Sequence, residues 1–174
     1  MSATPDELFA TLDRLNIRHS TVRHPPLFTV EQSQALRGQI PGAHTKNLFL
    51  KDKKGALFLV TALEDAAIEL KSLHNRLGAS GRFSFGPASL MLETLGVEPG
   101  SVTPFGALND AAHRVTVVLD AALMARDLIN AHPLTNTMTT TLSSADLLVF
   151  LRAIGHEPRI EPVAGVAPGM EPPV

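Results

Sequence analysis

The residues able to do chemistry fall in three short segments. Lys46 and Asn47 open the apolar stretch "TKNLFLKD". Gly100, Ser101, Val102, Thr103 and Pro104 form a Gly-x-x-x-Pro loop. His132 and Pro133 stand just ahead of Thr135 and Asn136. A glycine-led loop can turn consecutive backbone N–H groups toward one point, and such groups bind anions and carbonyl oxygens. An ammonium, an amide, an imidazole and a row of N–H groups suit an ester and the oxyanion formed when it is attacked. Each piece also has a plain structural meaning. Lys46 can snorkel from an edge strand into water, Asn47 can satisfy a local turn, and Gly100 and Pro104 can mark no more than a tight loop. A histidine before proline, as at His132 and His24, commonly terminates a strand.

Lys46 poses the sharpest question. Strand alternation puts Thr45, Asn47, Phe49 and Lys51 on one face and Lys46, Leu48, Leu50 and Asp52 on the other. An ammonium group then shares a face with two leucines that should enter a core.

Other chemistries find little support. The chain has no cysteine, which removes disulfides, thiolate nucleophiles and zinc sites built on sulfur. Its seven histidines show no H-E-x-x-H spacing, so no metal and no cofactor is expected. There is no phosphate-cradling G-x-x-x-x-G-K-[ST], no G-x-G-x-x-G and no G-x-S-x-G elbow. The aromatic residues are 5% of the chain and all phenylalanine, which argues against an aromatic platform for single-stranded RNA. A net charge of −2 gives no global pull toward nucleic acid. Four of the five lysines, Lys46, Lys51, Lys53 and Lys54, nevertheless lie within nine residues and predict a local basic edge. The N-terminus lacks a basic segment followed by an apolar one, and no apolar run reaches the ~20 residues that span a bilayer. A cytoplasmic protein with no membrane partner is expected.

The elements that must position these residues are well signalled. Thr4, Pro5 and Glu7 form the start of a capped helix with Leu8, Leu12 and Leu15 on one face. "STVRH" reads as a strand. Thr29 and Gln32 predict a second capped helix to about Leu36, ended by Gly38. "TKNLFLKD" and "ALFLVTAL" read as a hairpin around Lys53-Lys54-Gly55, the second strand apolar on both faces and so central. "IELKSLHNRLG" and "PASLMLETLG" read as helices ended by glycine, with a short strand, "RFSFG", between them. "VEPGSVTPFGALND" reads as a loop, "RVTVVLD" as a strand and "AALMARD" as a helical turn. A β-prone threonine run after His132-Pro133 leads to a last helix capped by Ser143. Strands and helices alternate without a regular rhythm, so the class is α+β around a mixed sheet. One domain is expected over residues 1–158, followed by a proline-rich tail, 159–174.

Three of these stretches, "HTKNLFLKDKKG", "GSVTPFGALND" and "HPLTNTMTT" followed by "DLLVFLRAIGHEP", closely resemble the YbaK/ProX-type editing domains associated with prolyl-tRNA synthetases. The similarity runs from about Val22 to Pro158 and is nearest the freestanding branch that deacylates alanyl-tRNA(Pro). The resemblance implies a twisted, mostly antiparallel mixed sheet, partly rolled, with helices around it. It implies hydrolysis of the ester of a mischarged tRNA by a positioned water. It makes Lys46 the family's hallmark lysine, Gly100 to Pro104 its substrate loop, and Asn47 and His132 pocket residues. On that footing Lys46, Gly100, Ser101, Val102 and His132 are the expected catalytic set. Thr45, Asn47, Thr103, Pro104 and Asn136 are expected against substrate, with Leu27, Phe28, Phe49 and Val102 as walls of a small pocket. Lys51, Lys53 and Lys54 are expected on the tRNA backbone. The implied partners are the acceptor end of tRNA(Pro) and prolyl-tRNA synthetase, with no DNA. Cysteinyl-tRNA(Pro), a noncatalytic binding module and a hydrolase of another small acyl ester are the alternatives.

Overall fold

The computed structural model describes residues 2–26, 35 and 39–164. The expected helix from Thr29 and the pocket-wall residues Leu27 and Phe28 lie outside them.

Helix α1 (Pro5–Arg14) starts as its sequence dictates. The Thr4 hydroxyl accepts from the Glu7 N–H and the Glu7 carboxylate accepts from the Thr4 N–H, which satisfies two orphan donors of the first turn. Leu8 and Leu12 are buried from this helix. Strand β1 (His19–Arg23) follows, then the hairpin of β2 (Ala43–Lys51) and β3 (Leu57–Leu63). Buried Asp52 fixes the turn between them, accepting from the N–H groups of Lys54, Ala56 and Ser80. Helix α2 (Leu70–Leu77) ends at Gly78 in the left-handed conformation. Strand β4 (Ser84–Phe85) and helix α3 (Ala88–Leu95) precede the Gly100 loop. That loop is more ordered than its composition suggests, because Pro104–Asn109 winds into a 3-10 turn capped by the Thr103 hydroxyl. Strand β5 (Val115–Asp120), helix α4 (Ala121–Met124), strand β7 (Met138–Ser143) and helix α5 (Ser144–Ala153) match expected elements, and β6 (Leu128–Ala131), which no sequence pattern signalled, pairs with β7.

One boundary moves. Residues Arg159–Glu161 form β8, parallel to β5, and the buried Val163 donates its N–H to the Asp120 carboxylate at 3.1 Å. The chain assigned to a tail from residue 159 therefore adds an edge strand, since its Ile and Val sit between prolines that do not interrupt the pairing.

The strands make one mixed sheet in the order β1-β7-β6-β2-β3-β5-β8, with β4 attached to β2. The pairs β1–β7, β6–β7, β2–β3 and β2–β4 are antiparallel; β2–β6, β3–β5 and β5–β8 are parallel. Helices cover both faces. One face packs Leu50, Phe58, Val60 and Ala62 against Leu73 and Leu77 of α2. The other packs Phe49, Leu57 and Leu59 against Met91 and Leu95 of α3, and Ile129 and Leu142 against α1 and α5. Among the described residues no helix is long and apolar enough to cross a membrane.

Candidate active site

The sheet has an opening in it. Strand β2 pairs with β6 only at Ala43 and His44, and with β4 only at Leu50 and Lys51. Between those points, from Thr45 to Phe49, this edge of β2 has no strand partner among the described residues. The Thr45 hydroxyl ties the near end of the opening by donating to the Asn130 carbonyl at 2.7 Å. At the far end the Gly86 N–H donates to the Phe49 carbonyl at 2.9 Å. The β6–β7 turn, residues 132–137, runs alongside, since β6 is parallel to β2 and continues past their last pair.

Asn47 ties the Gly100 loop to this edge. Its amide donates to the Val102 carbonyl at 3.0 Å and its own oxygen accepts from the Thr61 hydroxyl at 2.6 Å. Thr61 is fully buried on β3, directly opposite Asn47 in the register. Gly100 takes φ +91°, a conformation that favours glycine, and a Cβ there would stand 3.7 Å from the Asn136 amide nitrogen. The loop and the β6–β7 turn thus close over the same opening. Within the loop the Ser101 N–H is already committed to the Glu98 carbonyl. The N–H groups of Gly100 and Val102 carry no hydrogen bond to a described residue. Thr103 and Pro104 are buried and act as the foundation of the 3-10 turn rather than as a lining.

His132 is on the facing wall. Its Nδ1–H donates to the Met138 carbonyl at 3.0 Å, which leaves Nε2 as a lone-pair acceptor. Burial holds the imidazole below its ordinary value, nearby His24 and His44 push the same way, and the Met138 carbonyl opposes them. The ring is therefore neutral near pH 7 and able to take a proton. His24 stacks obliquely at 6.2 Å between centroids, and its Nε2 accepts from the Thr139 hydroxyl at 2.8 Å. Neither His24, beyond its place before a proline, nor Thr61 was legible as part of the site. Their roles come from the pairing register, which sets Thr61 opposite Asn47 and brings the end of β1 beside β7.

Lys46 sits where alternation put it, on the face of Leu48 and Leu50, half-buried, with its ammonium donating to the Ala66 carbonyl. It is on the opposite face of β2 from Asn47, so the two meet at the open strand edge rather than on a shared face. Phe49 is not brought to the site: it is 2% exposed and packs under Gly86, where a Cβ would fall 2.4 Å from its ring. Lys51 is half-buried, and Lys53 and Lys54 are exposed at the turn. Among the described residues no three His, Cys, Asp or Glu side chains converge on a point that could hold a metal ion.

The chain matches a known family. Residues 24–150 match the model of the aminoacyl-tRNA editing domain. The chain is 42% identical over 158 residues to the mouse prolyl-tRNA synthetase associated domain-containing protein 1, covering 88% of this chain and 93% of that protein. It is 35% identical over 150 residues to the prolyl-tRNA editing protein ProX of Acetoanaerobium sticklandii, covering 86% and 91%. A solved structure proposed as a trans-editing enzyme for prolyl tRNA synthetase superposes with a TM-score of 0.67 over 92% of this chain and 98% of that one, at 18% identity, and so shares the fold. The chain belongs to the aminoacyl-tRNA editing domain family.

Proposed function

We propose that this chain is a single-domain, cytoplasmic deacylase that clears mischarged tRNA(Pro) in trans, with alanyl-tRNA(Pro) as its substrate. The observation that carries the proposal is the open edge of β2, where Asn47, the Gly100 loop, Asn136 and His132 converge. A water attacks the ester carbonyl, a new C–O bond forms, and the bond to the ribose oxygen breaks. The ribose leaves as a hydroxyl and the amino acid as a carboxylate. The N–H groups of Gly100 and Val102 hold the oxyanion, each such donor being worth about 3 kcal/mol in mutational tests of other enzymes. His132 Nε2 accepts a hydrogen bond from the water or from the free ribose hydroxyl. Lys46 releases the Ala66 carbonyl and holds an oxygen of the terminal nucleotide. An activated ester needs no covalent nucleophile.

The names of the relatives support prolyl-tRNA editing as the activity and prolyl-tRNA synthetase as the partner. The test is release of alanine from alanyl-tRNA(Pro), set beside cysteinyl-tRNA(Pro) and prolyl-tRNA(Pro). Release of alanine that is lost in Lys46→Ala supports the assignment. Binding of uncharged tRNA with no release of any amino acid would make the chain a noncatalytic module. Hydrolysis of small acyl esters that uncharged tRNA fails to inhibit would move the substrate outside translation.

A further inference from the structure

Phe85 is the most exposed large apolar side chain of the described residues, at 62%. It lies opposite Leu50 in the β2–β4 register, so it is on the same face of the sheet as Lys46. Phe83, two residues earlier on that face, is buried against Phe58 at 5.0 Å between centroids. The apolar cover therefore ends between the two rings, and the second projects beyond it, where β4 meets the opening in the sheet. Leu50 lies four residue steps along β2 from Lys46, about 13 Å along an extended strand.

The charges around the opening are polarised. At the Ala43 end Glu64 and Asp65, with His44 and Arg126, line a cavity of about 170 Å³, and Glu69 follows at the start of α2. At the opposite end stand Lys51, Lys53, Lys54 and Arg82. The acid among them, Asp52, is buried and already accepts three backbone N–H groups. The Lys53 stem lies over Gly81, where a Cβ would fall 2.7 Å from it, so this side chain runs along the segment that leads through Arg82 into β4. A polyanion is therefore drawn to the end of Lys51, Lys53, Lys54 and Arg82 in preference to the other.

We propose that the single-stranded 3′ end of the nucleic acid enters across β4, with one of its bases stacked on Phe85 and its phosphates toward Lys53 and Arg82. This rests on the deacylase assignment and adds a direction of entry and a stacking residue to it. The low aromatic content argued against a stacking surface, but one ring suffices for one base. Charge complementarity favours RNA over a protein as the occupant, since the exposed ring is flanked by cations.

The test uses a labelled RNA hairpin with a four-nucleotide 3′ single strand and the same hairpin made blunt. F85A should weaken binding of the tailed hairpin roughly 5- to 100-fold, leave the blunt hairpin unaffected, and leave the salt dependence unchanged, because no phosphate contact is lost. F85W should restore affinity. The chain has no other tryptophan and no tyrosine, so the fluorescence of that variant, quenched by the tailed hairpin alone, reports the stack directly. Equal loss on both hairpins, a changed salt slope, or unquenched fluorescence in F85W would overturn the proposal and return the ring to a protein contact. Alanine release by the wild-type chain is measured separately. If release is absent while the stacking signature holds, the deacylase assignment fails alone; if release is present and F85A binds normally, the stacking proposal fails alone.

Discussion

If Asn47 is the strut that sets the height of the Gly100 loop, removing it should loosen the loop by a calculable amount. Asn47→Ala deletes two hydrogen bonds, one from the Thr61 hydroxyl and one to the Val102 carbonyl. At about 1 kcal/mol each the loss is about 2 kcal/mol. A domain of this size loses 2–4 °C of Tm per kcal/mol, so a fall of about 4–8 °C is expected. Thr61→Val keeps the side-chain volume and deletes one of the two bonds, for about 1 kcal/mol. Because that bond is common to both variants, the double variant should cost about 2 kcal/mol rather than 3. The coupling energy is then about 1 kcal/mol. Urea unfolding at constant m-value measures all three. The losses are well below the 5–15 kcal/mol of a typical domain, so the variants stay folded and can be assayed. With the loop released, a displacement of about 1 Å in the oxyanion donors should lower kcat for alanyl-tRNA(Pro) by up to about 100-fold. Additive stability losses would show that Thr61 does not act through Asn47. An unchanged kcat in Asn47→Ala would refute the positioning role altogether.

Gly100→Ala meets no steric block, since its Cβ would stand 3.7 Å from Asn136, but it forces φ +91° on an alanine; a stability loss of about 1–3 kcal/mol is expected in chemical unfolding, with a larger fractional loss of activity. His132 has a folded pKa below its unfolded value, so its contribution to stability is full above about pH 6.5 and is lost as pH falls from there to the depressed folded value. Unfolding followed between pH 5 and 8 should show that limb, and His132→Gln should flatten it. Asp110 is buried, accepts from the Arg114 and Val115 N–H groups, and faces the buried His156 at 2.9 Å, joining the start of β5 to the segment after α5. Asp110→Ala strands all three partners and should cost on the order of 3–5 kcal/mol by urea unfolding, far from the open edge of β2.

Much of this protein was determined by local sequence. The capping box at Thr4, the glycine stops at Gly78 and Gly96, and the alternation of β2 and β3 each rest on interactions within a few residues, and each has the geometry its pattern dictates. Alternation also set the face of Lys46 correctly. Strand length near the C-terminus was less legible, because β8 exists only through its pairing with β5, about forty residues earlier. What tertiary structure alone decided is where the two faces of β2 meet. Lys46 and Asn47 are adjacent in sequence yet point to opposite sides of the sheet, and no periodicity joins them. They are joined because β6 stops pairing after His44 and β4 does not begin until Leu50, which bares a strand edge between them. That gap is set by hydrogen bonding between segments some 35 and 85 residues from β2 along the chain. Sequence supplied the donors, the imidazole and the ammonium; the unpaired edge that lies between the faces of β2 comes only from the strand pairing.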